Sequence, residues 1–217
     1  MIRYYSSMHK QRGQTLLQHL WTTLLDAVLP ASESVRAIRT LSTTEFVAHY
    51  RPGHFQSITF LSPYDEPLVR AAIHANKYEH YQPAAQLLAK LLDTWLRTQP
   101  TDVVIVPIPL FPRRQRERGH NQLDTILRYS QMRPTVQRNW LARTRNTTPQ
   151  VSLSRAARRE NMIDAFTIKK QPKLAPGSTV VLLDDVITTG ATMKAARAAL
   201  APHLPTDCTL ICLALAH

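Results

Sequence analysis

The sequence predicts an α/β domain with a mainly parallel central sheet flanked by helices. Two observations carry that prediction. Short apolar runs at 103–107, 180–183 and 208–215 have the length and composition of strands covered on both faces. Segments with helical apolar spacing, at 67–76, 83–96, 121–129 and 192–200, alternate with them.

Taken in order, residues 14–29 place leucines and a tryptophan at helical spacing and are stopped by Pro30. The polar face of that segment lacks basic residues, so it reads as a packing helix and not a membrane-surface one. Residues 31–54 are less regular and read as a linker or small subdomain, and 57–61 as a short strand. Pro67 and Pro83 stand at helix starts, where a missing N–H costs nothing. Pro107 and Pro109 stop the strand at 103–107, and the arginine-rich stretch after it reads as a mobile loop. Ser154 is placed to cap a short helix over 154–161. The expected organisation is a small helical region, 1–50, appended to a larger domain, 51–217.

Composition narrows the partners. The chain has 217 residues, 44% of them hydrophobic, enough for a packed core, and a net charge of +12. Arginines 113, 114, 116, 118, 128, 133, 138, 143, 145, 155, 158 and 159 fall in one stretch with no lysine and only Glu117 and Asp124 against them. Arginine alone favours bidentate phosphate recognition over general solubility. The composition therefore points to an anionic partner, nucleic acid or polyphosphate. Cys208 and Cys212, four apart on a predicted strand, read as a buried, reduced pair. The N-terminal stretch lacks the apolar core of a secretion signal, and no apolar run is long enough to span a membrane, so a cytoplasmic location is expected.

The chemistry concentrates in Val180 to Met193, VVLLDDVITTGATM. Four apolar residues form a buried strand, and ligands of open α/β sheets bind beyond the carboxyl ends of such strands. Asp184 and Asp185 stand at that end. On extended backbone they point to opposite sides, so they are not by themselves a metal cage. They can accept hydrogen bonds from sugar hydroxyls or hold Mg2+ through water. Thr188, Thr189, Gly190, Ala191 and Thr192 then open a helix. Hydroxyls, a permissive glycine and the unpaired amides of a helix start make an anion cradle.

This stretch closely resembles the phosphoribosyl-pyrophosphate motif of type I phosphoribosyltransferases. The resemblance implies that fold. It gives Asp184 and Asp185 the ribose-binding and catalytic role, and Val186 with Thr188 to Thr192 the 5′-phosphate. It implies Mg2+ carried by phosphoribosyl pyrophosphate, not by direct protein ligands. Lys77 and Arg113, Arg114, Arg116 and Arg118 are the candidates for the pyrophosphate.

Further pieces resemble the competence-protein F (ComF) family: Lys77-Tyr78, VPIPL at 106–110 followed by the arginines, and RGHNQ at 118–122. A last piece comprises Arg145, Thr148, Gln150, Leu153, Arg158, Asn161, Ala165 and Phe166. The resemblance runs from about residue 57 onward. It implies single-stranded DNA as partner in DNA uptake during natural transformation, with a competence helicase or other uptake proteins as further partners. Arg143, Arg145, Arg155, Arg158 and Arg159 are the candidate DNA contacts. Tyr129 and Trp140 are the few aromatics near them, so backbone contact is expected more than base stacking. The sequence departs from the family in three ways. It has no cysteine before Cys208, so the family's N-terminal zinc ribbon is absent from it. His120 stands where the family has phenylalanine, and His80 where it has glycine.

Two other functions stay open. One is an active phosphoribosyltransferase of nucleotide metabolism or salvage, moving the 5-phosphoribosyl group to a nitrogen acceptor. The other is a module that binds the sugar phosphate without chemistry.

Overall fold

Branched aliphatic residues dominate the centre of the sheet, as strands covered on both faces require. A computed structural model describes residues 32–100, 102–144 and 165–217 of the chain. The helices predicted at 14–29 and 154–161 lie outside the described residues, as do Arg145, Thr148, Gln150, Leu153, Arg155, Arg158, Arg159 and Asn161.

The described elements run α1 (Glu33–Ile38), α2 (Thr43–Phe46), β1 (Gly53–Phe55), β2 (Ile58–Ser62), α3 (Pro67–Tyr78), α4 (Gln82–Leu96) and β3 (Val103–Pro107). There follow α5 (Pro112–Arg118), α6 (Gln122–Tyr129), β4 (Thr135–Val136), β5 (Leu141–Arg143) and β6 (Phe166–Ile168). The chain closes with β7 (Thr179–Val186), α7 (Ala191–Leu200) and β8 (Thr209–Ala216). Six strands form one sheet in the order β1-β2-β8-β7-β3-β4. Every pairing in it is parallel except the β1–β2 hairpin. β5 and β6 form a separate antiparallel ribbon. The expected α/β fold with a mainly parallel sheet flanked by helices is the fold observed.

The pleat of β7 sorts its side chains onto two faces. Val181 and Leu183 join the core formed with α3, α4 and α6, where Leu87, Leu88, Leu91 and Leu92 of α4 are fully buried. Val180 and Leu182 join the second core with Met193 and Ala196 of α7 and with Trp140, Leu141 and Phe166 of the ribbon. Each such leucine or isoleucine contributes about 1.5–3 kcal/mol by leaving water. Asp93 is buried on α4, and both its oxygens are used. It accepts from the Ser130 hydroxyl at 2.5 Å and the Gln131 amide at 2.9 Å, which fixes the end of α6 against α4.

Two local readings gain detail and two are corrected. The strand expected at 57–61 is half of a hairpin, turned at Gln56 with φ 55°. The arginine stretch after β3 is the helix α5, started by Pro112 at a first-turn position and ended by Gly119 in the left-handed region. Residues 31–54 contain two short helices; α2 carries a capping box in which Ser42 and Glu45 satisfy each other's amides. Cys212 is buried as expected, whereas Cys208 precedes β8 and is partly exposed; both are free thiols.

Candidate functional site

The site forms where β7 ends between helices on both faces of the sheet. β7 extends three residues beyond the apolar run, so Asp184 and Asp185 are the two strand residues before its last, Val186. The alternation that separates Val181 and Leu183 from Val180 and Leu182 also separates the two carboxylates. Asp185 turns to the face carrying α3 and α6; Asp184 turns to the face carrying the β5–β6 ribbon.

Asp185 is buried and fully engaged. Lys77 Nζ lies 2.8 Å and Gln122 Nε2 2.9 Å from the same oxygen, Oδ2. Oδ1 accepts from the Val186 amide at 2.7 Å. Lys77 is presented because α3 continues past the predicted 67–76 to Tyr78, putting it one turn beyond the buried Ile73. Gln122 is presented because Asn121 caps α6, its side chain accepting from the Leu123 amide at 3.0 Å. A further bond, Asn76 Nδ2 to the Gln122 carbonyl at 3.2 Å, ties the end of α3 to the start of α6.

Asp184 differs. It is half-buried, and its Oδ1 accepts from the Asp185 amide at 2.9 Å. Its carboxyl is pushed up to about 7, first by burial and then by the adjacent Asp185 charge, with Lys77 and Arg143 pulling the other way. Arg143 lies on this side, half-buried, its guanidinium 5.5 Å from the centre of the Phe166 ring. Burial and the neighbouring Arg114 weaken its hold on its proton, while Asp184 strengthens it. The two carboxylates thus divide: Asp185 is bonded within the protein by Lys77 and Gln122, and Asp184 has Arg143 beside it, with Arg114 near Arg143 in turn.

The turn after β7 runs from buried Ile187 through exposed Thr188 and Thr189 to Gly190. Gly190 has φ 72° and ψ 3°, and a Cβ there would lie 2.9 Å from Ile58 Cδ1. Glycine is therefore required twice, by the left-handed backbone and by the approach of the β1–β2 hairpin. Gly190 serves as the N-cap of α7 and offers no side-chain cap to the first-turn amides, a donor-rich helix start suited to an anion. Thr192 and Ala191 are half-buried behind it.

Sequence reasoning missed the support beneath this turn. His217 Nδ1 lies 3.1 Å from the Ile187 carbonyl oxygen, and its ring packs 4.0 Å from that of Phe55. The Ile187 amide donates to Ala216 at 3.0 Å, closing the brace. The apolar run at 208–215 signalled a strand but not what would stand at its end.

Of the other predicted residues, Arg113 and Arg116 are exposed on α5, and Arg114 is half-buried toward the site. The side chain of Arg118 lies outside the described residues. Arg143 sits beside Asp184, not on an open face. Trp140 is buried in the core, and the Tyr129 hydroxyl donates to Gln82 at 3.1 Å. The two histidines that depart from the family pattern meet: the His80 and His120 rings lie 4.3 Å apart.

No protein-family model matches the chain. It is similar to competence protein F of Haemophilus influenzae, 36% identical over 92 residues, which are 42% of this chain and 40% of that protein. It is also distantly similar to the crystal structure of a hypoxanthine phosphoribosyltransferase from Staphylococcus aureus. That match is 13% identical over 60% of this chain and 62% of the other, with a TM-score of 0.36. The matched stretch therefore spans about two fifths of the curated relative.

Proposed function

We propose that this chain binds phosphoribosyl pyrophosphate with Mg2+ at the turn between β7 and α7. We further propose, from the resemblance of its motifs to the competence-protein F family, that it acts on single-stranded DNA during natural transformation. The observation that carries the reading is the turn itself. A glycine that must be left-handed opens a helix start directly beyond two carboxylates, with Lys77 on Asp185, Arg143 beside Asp184 and Arg114 near Arg143.

The residues divide the ligand between them. The 188–192 turn holds the 5′-phosphate, Asp184 orients the ribose hydroxyls, and Arg114 receives the pyrophosphate end. Lys77 and Gln122 hold Asp185 in place behind them. Among the described residues no group of three or more His, Cys, Asp or Glu side chains could hold a metal. Mg2+ fits as a cation carried by the donor's own oxygens, with Asp184 the less covered carboxylate; when bound it neutralises the departing pyrophosphate. The DNA reading rests on the net charge of +12 and on exposed Arg113, Arg116, Arg128, Arg133 and Arg138.

One observation favours a second reading, catalytic transfer of the 5-phosphoribosyl group to a nitrogen acceptor. Asp184, with its carboxyl pushed up to about 7, lies in the range of a general base. Titration calorimetry with phosphoribosyl pyrophosphate and Mg2+ tests the donor site. Saturable binding by the wild type, weakened about tenfold or more in D184A, is expected. Absence of binding by the wild type sinks the proposal. Pyrophosphate release with a panel of nucleobases tests the second reading, which fails if donor binds without turnover. A shift of single-stranded DNA that survives D184A places DNA and donor at separate sites.

A further inference from the structure

Lys77 and Gln122 reach one oxygen of Asp185 from two different helices, so their positions depend on how the end of α3 meets the start of α6. Beyond the buried Asn76 bond, these segments meet at a pair of rings. His80 follows Lys77 by three residues, His120 precedes Gln122 by two, and the rings stack 4.3 Å apart with planes tilted 47°. The backbone pays for this contact. His80 has φ 53°, a left-handed conformation that disfavours a side chain carrying Cβ. On the other side, Gly119 with φ 70° ends α5 immediately before His120, so His120 is also the anchor from which the arginine-bearing helix departs.

We infer that the stacked His80–His120 rings are a positioning pair, holding Lys77, Gln122 and the base of α5 in the arrangement that receives the pyrophosphate end of the donor. The inference rests on the donor-binding reading above. The pair acts through its neighbours and touches no reacting atom. It bears on the pyrophosphate end through the base of α5, and on Asp185 through Lys77 and Gln122, and not on the 188–192 turn across the strand end.

The informative variant is H80G. It removes one ring and relieves the left-handed backbone, so its melting temperature should hold or rise. Its affinity for phosphoribosyl pyrophosphate should nevertheless fall about fivefold, the loss of one ring contact. Ribose 5-phosphate, which lacks the pyrophosphate, should bind within about twofold of wild type. H120A should behave like H80G in binding, and H120F, which keeps a ring against His80, should retain wild-type affinity. Unchanged donor affinity in H80G overturns the inference; so does equal weakening of both ligands, or failure of H120F to retain affinity. Amide exchange at Leu123 and Asp124, both bonded to Asn121, reads the pair without ligand. H80G should speed it in the free protein, and unchanged exchange counts against the pair. A wild type that binds no donor defeats the proposed function, and the exchange result still decides the ring contact.

Discussion

At the residue scale the two aspartates show how one backbone alternation assigns opposite tasks to identical side chains. Asp185 gains a cation, an amide donor and a backbone donor; Asp184 gains burial beside a like charge. The consequence for stability has a definite sign. A carboxyl raised to about 7 in the fold, against about 3.9 in the unfolded chain, binds its proton more tightly when folded. Its contribution is therefore favourable below about pH 4 and is lost as pH rises through 7. D184N, which cannot ionise, should melt about 5 °C above wild type at pH 8, with the gap closing near pH 4. Thermal melts across that range check this, and a constant gap would refute the assignment. Donor binding with Mg2+ should strengthen as pH rises through 7 and Asp184 becomes charged, a trend lost in D184N.

The 188–192 turn belongs to the element scale, because its shape comes from β7, α7 and the β1–β2 hairpin together. The hairpin supplies Ile58 beneath Gly190 and Phe55 against His217. G190A forces Cβ into the left-handed region, at about 1–2 kcal/mol, and into Ile58. The expected result is a protein destabilised by at least that amount, with donor affinity down about tenfold or more. Chemical denaturation and calorimetry measure the two effects separately. I58A removes a buried side chain and costs stability on its own, but it should cost less in the G190A background than in wild type, because the steric share of the G190A cost then disappears. An equal cost in both backgrounds would assign the whole G190A cost to the backbone. The helix α5 carries the same lesson. Pro112 starts it and Gly119 ends it, signals present in the sequence, yet the density of arginines there favours the reading of a solvated loop. Propensity was outvoted by charge in that reading, and the helix caps were the better guide.

For the whole molecule the relevant quantity is the field of a chain at +12. Single-stranded DNA binding should weaken steeply with salt, the slope of log affinity against log salt being about −0.7 for each phosphate contacted. Removing exposed Arg128, Arg133 and Arg138 together should flatten that slope by about 1.4, the share of two contacts, because Arg138 is already paired with Asp124 at 2.5 Å. An unchanged slope would move the DNA contact elsewhere on the chain. Among the described residues no helix is long and apolar enough to cross a membrane.

The sequence by itself determined the buried strands β3, β7 and β8, the helices α3, α4, α6 and α7 and the position of the turn at 188–192, because these follow from local periodicity and from residues with special backbone needs. Gly190, the two aspartates and the capping Asn121 are legible in that way. Tertiary structure alone decided which groups meet across the sheet end. The meeting of Lys77 with Gln122 on one oxygen of Asp185, of Arg143 with Asp184, and of His80 with His120 depends on separations of about 40 to 110 residues. Periodicity carries no information over such distances. The same holds for His217, which braces the turn only because β8 lies beside β7 and delivers it there. A motif in the chain can therefore announce a candidate site, whereas the partners of each carboxylate in it are neighbours that only folding brings near.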